Sequence, residues 1–442
     1  MHGFGKGARW GIALRMRTTT TPLRVALLGY GTIGSSIHRL LVEHREHIMR
    51  TTGRDVDVVA ALVRDASRPR DGVAGAQMHL VDDIEELWKH DVELVCEAMG
   101  GLEPARTYVL AALERSIPVV TANKQLIAHH GAELFVAAER SDTQLRFEAS
   151  VCGSIPIIRM LRESLAAARI DRIVGILNGT TNYMLSSMVE TGAGYAEALA
   201  EAQRLGYAEP DPTDDVTGVD AAAKLAILAG IAFHTRVPID AVTTQGIDGV
   251  GADDIAFAET LGYRVKLIGR AERLEGGLRL DVAPTLVPNE HPLATVGGST
   301  NAVQVTGATF RELMIQGPGA GGPETASALA GDIVGVLGSA HSFLTRDPHE
   351  RDLQLAAPDA RQERFYVRLH VPDRPGVLAT VAGHFSEQQV SIERVIQQRS
   401  GAQAAALVLT THPTSLPAIR AALKGVEADS VSVMPIMELP ER

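Results

Sequence analysis

The chain has 442 residues, 42 of them Lys or Arg and 53 Asp or Glu, for a formal net charge of −11. That acidic balance argues against nucleic-acid and anionic-membrane partners, which reward the opposite sign. Apolar residues make up 45% and charged residues 21%, so the bulk of the chain folds, into about three domains for this length. No apolar run approaches the roughly 20 residues that span a bilayer. Two cysteines, Cys96 and Cys152, make no disulfide framework, and a reducing, cytoplasmic setting is expected.

Residues 1–22 hold basic residues and glycines around a short apolar stretch. They lack the apolar core and small-residue cleavage site of a secretory signal, and are expected to be a disordered extension. From residue 23 to 150, short apolar runs (RVALLGY, VDVVAALV, ELVCEA, PVVTA, QLRFEA) alternate with helical patterns. Such alternation predicts a doubly covered parallel sheet, the α/β class. Residues 151–324 mix a helix (IPIIRMLRESLAAA), an Ala-rich helix from about 217 to 233, and strand-like runs (RVKLIGRA, LRLDVAPTLV, NAVQVTG), which predicts an α+β domain. A helix at about 325–345 is placed to return to the first domain. Residues 346–363 are polar and Pro-bearing and are expected to be a linker. Residues 364–442 follow the order βαββαβ, a ferredoxin-like unit.

Gly29-x-Gly31-x-x-Gly34 closes the first strand and opens a helix. The first glycine suits a tight turn, the second lets a pyrophosphate approach, and the third permits close strand–helix packing. A helix N-terminus there offers N–H groups to phosphate. A Gly-rich turn in an unrelated α/β protein has the same pattern. The next strand ends in Arg64 and then Asp65, with Arg68 and Arg70 nearby. A guanidinium at that point matches a 2′-phosphate and favours NADP(H); if Asp65 takes the ribose instead, NAD(H) is favoured.

Thr121-Ala-Asn-Lys124 follows an apolar strand, and the carboxyl end of a parallel strand is where open sheets bind ligands. Between Gly206 and Lys224 the acids Glu209, Asp211, Asp214, Asp215 and Asp220 crowd a turn-rich loop that leads into the Ala-rich helix. Asp220 and Lys224 are four residues apart and share a helix face. Reducing a carbonyl needs a proton donor, and partial burial is expected to lower the Lys224 pKa towards that task. A substrate ammonium group would suit Glu209 and Asp220. A surface salt bridge on an acidic loop is the plainer alternative. The stretch Glu148–Pro156 joins a carboxylate to a strand–helix turn whose carbonyls could hold a monovalent cation, or it is an ordinary turn. Cys152 there reads as a small buried thiol. Gly317-Pro-Gly-Ala-Gly321 precedes a helix and either closes over a cofactor or merely connects. Asp373-Arg-Pro-Gly376 is a strand–helix turn in the last unit, where a small ligand or another backbone could approach.

From about residue 24 to the end, leaving out the linker, these stretches resemble the homoserine dehydrogenases with a C-terminal ACT domain. The resemblance is carried by the Gly206–Lys224 segment and by TANK (Thr121–Lys124), EASV-x-G-x-I-P (Glu148–Pro156), LNGTTNYML (Leu177–Leu185) and GPGAG (Gly317–Gly321). It implies a Rossmann-type domain, a substrate and dimerisation domain, and a regulatory ACT domain. The implied reaction is the reversible NAD(P)H-dependent reduction of L-aspartate 4-semialdehyde to L-homoserine. By the same resemblance, Lys224 is the proton donor and Lys124 lies by the nicotinamide and substrate. Glu209 and Asp220 hold the amino-acid end, and Gly29, Gly31, Thr32, Ile33, Gly34, Gly206 and Gly321 contact cofactor. Glu148, Val151, Gly153 and Ile155 would bind Na+ or K+. A homodimer or homotetramer is implied, with L-threonine as the natural effector. Two departures stand out: the proline at Pro323 comes one place early, and Arg311 stands where the family commonly has glycine. Another NAD(P)-dependent amino-acid or semialdehyde dehydrogenase, and a non-catalytic amino-acid sensor, are the competing readings.

Overall fold

A computed structural model describes residues 21–70, 72–73, 77–338, 352–357, 360–399 and 404–438. Nearly all of the expected extension 1–22 lies outside them. So do residues 339–345 of the returning helix and much of the expected linker 346–363. Among the described residues no helix is long and apolar enough to cross a membrane.

Six strands make the first sheet: β1 (Leu23–Leu28), β2 (Val56–Leu62), β3 (His79–Val81), β4 (Leu94–Glu97), β5 (Val119–Thr121) and β6 (Leu145–Arg146). Their order is β3-β2-β1-β4-β5-β6, parallel throughout. This is the dinucleotide-binding arrangement, with its ligand crevice at the strands' carboxyl ends where the order reverses beside β1. The helices Thr32–Glu43 and Gly322–Gly338 pack together on one face, burying Ile37 and Leu41 beside Leu329 and Ile333. A Cβ on Gly322 would stand 2.8 Å from Ser36 Oγ, so the returning helix sits hard against the first one.

The second sheet has ten strands: β7 (Ile170–Ile176), β8 (Thr243–Thr244), β9 (Tyr263–Leu274), β10 (Gly277–Pro288), β11 (Thr300–Gly307), β12 (Arg311–Pro318), β13 (Arg364–Pro372), β14 (Ile392–Arg399), β15 (Ala404–Thr411) and β16 (Ser430–Ile436). The order runs β12-β11-β7-β9-β10-β16-β13-β15-β14, with β8 on β10. The last four strands, with the helices Val377–Glu387 and Leu416–Leu423, form the ferredoxin-like unit. That unit is continuous with the middle sheet, because Leu286 of β10 pairs with Ile436 of β16 and Met437 N donates to Leu286 O at 2.8 Å.

Residues 352–357 also lie against the middle sheet. Leu278 N donates to Gln354 O at 2.6 Å, and Ala356 N donates to Leu278 O at 2.9 Å. The junction is further tied by a charged quartet, buried except for the part-buried Arg279. Arg270 and Arg279 bind Asp281 at 2.6 and 2.7 Å, and Arg279 binds Glu363 at 2.7 Å.

Three local features depart from the sequence expectation. The helix after Ser150 is broken into Ile157–Arg159 and a wider π turn, Met160–Ser164. The helix Ala252–Thr260 and the strand β12 were not expected. Arg311 opens β12 with φ +59°, a conformation that costs an L side chain about 1–2 kcal/mol. Glycine therefore suits that turn better. Arg311→Gly is expected to leave activity unchanged and to raise stability by up to about 1 kcal/mol, read by urea unfolding.

Candidate active site

The Gly-rich turn is shaped by contact rather than by composition. A Cβ at Gly29 (φ +96°) would stand 2.9 Å from Ala98 O, and one at Gly34 would stand 2.2 Å from Gly29 O. At Gly31 nothing lies within 4 Å, so the backbone is open to a ligand. Gly31 caps the helix Thr32–Glu43, and Thr32 and Ile33 begin it. A cavity of about 850 Å³ opens beside this turn, lined by Gly29, Gly31, Arg64, Gly100 and Tyr108 among others. The open N-terminus, the cavity and the strand-end arginine fit an NAD(P) molecule. Asp65 is partly committed: its Oδ1 accepts from Ser67 N at 2.9 Å and from Ser67 Oγ at 2.6 Å, and these bonds hold the carboxyl below its usual range.

The carboxyl end of β4 carries a residue that sequence reasoning missed. Glu97 is buried and accepts from the Thr121 hydroxyl and from Met99 N at 2.8 Å, while burial pushes its pKa up. Thr121 Oγ1 in turn accepts from Asn123 N at 2.9 Å, and Asn123 Oδ1 caps the helix Lys124–Arg140 through Leu126 N at 3.0 Å. Lys124 thus starts that helix, where the dipole disfavours a cation. Its position is set by a carboxylate from the other domain: Nζ lies 2.6 Å from Asp220 Oδ1.

Asp220 and Lys224 come from the helix Val219–Phe233, which is buried on every side from Asp220 to Phe233. Alanines along it let neighbouring elements approach, and a helix apolar all round belongs in a core. Lys224 Nζ lies 2.7 Å from Asp220 Oδ2 and donates to Leu177 O at 2.9 Å. Asn178 Nδ2 donates to Asp220 Oδ2 at 2.8 Å and to Asp215 Oδ1 at 2.7 Å, while its Oδ1 caps the helix Gly179–Thr191. Asn301 Nδ2 also donates to Leu177 O, at 3.2 Å. Asp215 is one of the acids of the Gly206–Lys224 loop, but Asn178 and Asn301 carry no spacing that links them to Lys224 in the sequence. Only the LNGTTNYML stretch pointed to Asn178.

Burial works against the charge on Asp220, but Lys224 and Lys124 outweigh it and hold the carboxyl far below the usual range. For Lys224 the expected downward shift is overturned. Burial does pull its pKa down, but the adjacent Asp220 carboxylate, with smaller help from other groups, more than reverses this and leaves it raised. The physical reason is the direct 2.7 Å contact with a buried counter-charge.

The other expected residues lie as follows. Gly206 is at an exposed turn with φ +79°. Glu209 is exposed on the loop that Tyr207 O ties to Thr180 Oγ1 at 2.7 Å, and its side chain makes no hydrogen bond or ion pair among the described residues. Gly319 packs on Asn301 and Gly153, so the loop ending at Gly321 runs from the Lys224 cluster to the helix on the dinucleotide domain.

Glu148 is buried, and its two oxygens cap the following helix through Ile158 N and Arg159 N, each at 2.8 Å. Burial and nearby Asp332 push its pKa up to about 7. Its carboxylate is therefore committed to backbone amides. The carbonyls of Val151, Gly153 and Ile155 remain as the oxygen donors, around a sharp turn in which Cys152 and Gly153 have φ of +58° and +56°. No cluster of three or more His, Cys, Asp or Glu suited to a metal occurs among the described residues. Burial pushes the Cys152 thiol up to about 11, consistent with an inert thiol.

Three family profiles match the chain: "Homoserine dehydrogenase, NAD binding domain" over residues 29–148, "Homoserine dehydrogenase" over 156–334 and "ACT domain" over 365–428. A homoserine dehydrogenase of Corynebacterium glutamicum is 44% identical over 397 residues, 88% of each chain. The chain belongs to the homoserine dehydrogenase family. The crystal structure of such an enzyme from Thiobacillus denitrificans matches with a TM-score of 0.88 at 38% identity, covering 95% of this chain and 99% of that one. A hyperthermophilic archaeal homoserine dehydrogenase in complex with NADPH matches with a TM-score of 0.60 at 26% identity, over 72% of this chain and 98% of that one. The homoserine dehydrogenase activity is that of an NAD(P)-dependent oxidoreductase acting on a CH–OH group, interconverting L-aspartate 4-semialdehyde and L-homoserine. This reading displaces the generic semialdehyde dehydrogenase and the non-catalytic sensor.

Proposed function

We propose that this homoserine dehydrogenase uses Lys224 as the proton donor to the aldehyde oxygen and Lys124 as a second cation on the cofactor side. One observation carries the reading: lysines from two different domains converge on the single buried carboxylate of Asp220, at 2.6 and 2.7 Å. A nicotinamide cofactor, when bound at the Gly29–Gly34 turn, would supply the hydride. As negative charge develops on the aldehyde oxygen, the Lys224 ammonium stabilises it and passes its proton, because an alkoxide is a stronger base than an amine. In homoserine oxidation the neutral amine takes the hydroxyl proton. Asp220 and Leu177 O hold the Lys224 amine in place, and Asn178 in turn holds Asp220. Glu209, exposed at the loop, and Asp220 would receive the substrate ammonium, which displaces Lys124 Nζ from Asp220 Oδ1.

NADP(H) is the preferred cofactor in this reading. Support comes from Arg64 in the cavity wall and from Asp65, whose Oδ1 is tied to Ser67. Arg64→Ala is expected to raise KM for NADPH about tenfold or more and leave KM for NADH within twofold, since a strand-end guanidinium recognises the 2′-phosphate alone. A tenfold preference of the wild-type protein for NADH would overturn this assignment. A sodium or potassium ion held by the Val151, Gly153 and Ile155 carbonyls, a homodimer or homotetramer, and threonine as effector complete the proposal. Two buried free thiols support a cytoplasmic location. The deciding assay is homoserine oxidation with NAD and NADP in parallel, with and without threonine, in sodium, potassium and tetramethylammonium salts. Absence of turnover with either cofactor would sink the reading.

A further inference from the structure

The carboxyl ends of β4 and β5 hold a charged group that the proton transfer does not use. Glu97 ends β4, pairs with Leu28 of β1 on one side and Thr121 of β5 on the other, and has no exposed surface. Its carboxylate is turned into the loop that follows the strand. Oε1 accepts from Met99 N at 2.8 Å and from Gly100 N at 3.2 Å, and Oε2 accepts from the Thr121 hydroxyl. Asn123 Nδ2 approaches Oε1 at 3.5 Å and donates to Gly101 O at 2.7 Å. Each of these neighbours offers a hydrogen, which suits the ionised carboxylate.

No cation meets this charge. Glu97 makes no ion pair among the described residues. Lys124, at the start of the helix after β5, turns its ammonium to Asp220 at 2.6 Å instead. Burial pushes the Glu97 pKa up, as expected of a carboxylate shut away from water without a counter-charge. Its hydrogen bonds do not by themselves require an acid. A glutamine could accept from the Met99 and Gly100 amides through Oε1 and donate to Thr121 Oγ1 through Nε2. The contacts thus account for a polar side chain but not for a full negative charge.

The place of that charge in the crevice indicates what meets it. In this fold a dinucleotide lies across the strand ends, one mononucleotide on each half, and the end of the second strand faces the adenosine ribose. The cavity follows the same line, from Leu62, Val63 and Arg64 at the end of β2, past Gly29 and Gly31, to Ala98, Met99 and Gly100 after β4. A Cβ on Gly100 would meet nothing within 4 Å, so the backbone that Glu97 holds borders open cavity. Glu97 therefore belongs to the nicotinamide half, next to Ala98 of the cavity wall. A nicotinamide ring carries one positive charge when oxidised and none when reduced. A fixed, buried carboxylate near it favours the oxidised form, and a low-dielectric surrounding strengthens the effect.

We propose that Glu97 sets the redox preference of the bound cofactor, its carboxylate serving as the counter-charge of the oxidised nicotinamide ring. The proposal rests on the nicotinamide cofactor of the family, but not on the Arg64 assignment or on the role given to Lys224. Equilibrium binding to the full chain without substrate tests it. NADPH and NADH are followed by their own fluorescence, and NADP+ and NAD+ by titration calorimetry. In Glu97→Gln the oxidised forms should bind about fivefold or more weakly while the reduced forms stay within twofold, so that the ratio of the two Kd values moves in each pair. Glu97→Ala, a second neutral variant, should move the ratio the same way. Glu97→Asp keeps the charge and should hold the ratio within twofold of wild type, even where the shorter side chain loosens both forms. Circular dichroism checks that each variant folds. Equal weakening of oxidised and reduced forms in a folded neutral variant would mean that the carboxylate only shapes the loop, and overturns the proposal. An unchanged ratio overturns it as well, as does a Glu97→Asp protein whose ratio moves as far as that of Glu97→Gln. The expected change of ratio in a protein that binds NAD(H) as tightly as NADP(H) supports the proposal and counts against the Arg64 assignment alone.

Discussion

Lys224→Ala is expected to lower kcat for homoserine oxidation by about 10²–10⁴-fold, the usual contribution of a positioned proton-transfer group, while the protein keeps its fold. The second half of that expectation follows from what remains. Asp220 retains Lys124 at 2.6 Å and Asn178 at 2.8 Å, so its buried charge is not orphaned. Leu177 O retains Asn301 Nδ2 at 3.2 Å. Alanine is also the best residue for the interior of a helix. Near-normal turnover in a folded Lys224→Ala protein would remove the proposed donor. Lys224→Arg offers a sharper control, because a guanidinium keeps the charge but gives up no proton near neutral pH; it should not restore homoserine oxidation.

The same residue sets a sign for pH dependence. Aldehyde reduction needs Lys224 protonated, so that direction is fully active below the lysine pKa and lost as pH rises through it. Homoserine oxidation needs the neutral amine, so its rate climbs with pH towards the same value. Asp220 holds the folded-state pKa above its ordinary range, near 10.4 for a free lysine, despite burial. Reduction should therefore show no alkaline decline between about pH 6 and 9, while oxidation rises across that span. Profiles of kcat/KM in both directions, with wild-type and Lys224→Ala proteins compared, check this.

The parts of the site that could be read from the sequence are those fixed by local backbone geometry. The roles of Gly29, Gly31 and Gly34 follow from a strand-to-helix turn within one βα unit, and Asp220 and Lys224 share a helix face by spacing alone. The rest depends on distant segments. Nothing near Lys124 announces that it reaches Asp220 across the domain boundary. Leu177 acts through a carbonyl, which no side-chain pattern reveals. Asn301 sits in a strand whose alternation says only that it faces inward. The π turn at Met160–Ser164 leaves the helical periodicity intact over so short a run. The strand β12 is half exposed and lacks clean alternation, so it reads as loop. The direction of the Lys224 shift is hidden for a related reason: burial is suggested by the surrounding alanines, but the strength of a 2.7 Å contact inside that burial is not.

Distant pairing also explains why the C-terminal unit looks separable in the sequence and is not separate in space. Asp254, at the start of the helix Ala252–Thr260, is fully buried and takes a two-pronged bond from Arg368 of β13, at 2.7 and 2.8 Å. Tyr366 OH donates to the same carboxylate at 3.0 Å, and Gly251 N donates to it at 2.9 Å. Removing one partner leaves the other charge buried without compensation, which costs about 3–5 kcal/mol. Asp254→Ala is therefore expected to destabilise the protein by roughly that amount, with Arg368 and the Tyr366 hydroxyl both losing their acceptor. The loss should appear in urea unfolding as an early transition of the junction between the two units, so that two-state behaviour fails. Joint replacement, Asp254→Leu with Arg368→Met, removes both charges and should recover most of the loss, since well-packed apolar pairs often match buried ion pairs. An unfolding curve for Asp254→Ala that overlays the wild type would mean that the ion pair does not hold the ferredoxin-like unit to the middle sheet. The β10–β16 pairing, the Arg270, Arg279, Asp281 and Glu363 quartet and bonds such as Gln245 Nε2 to Val433 O would then carry that junction.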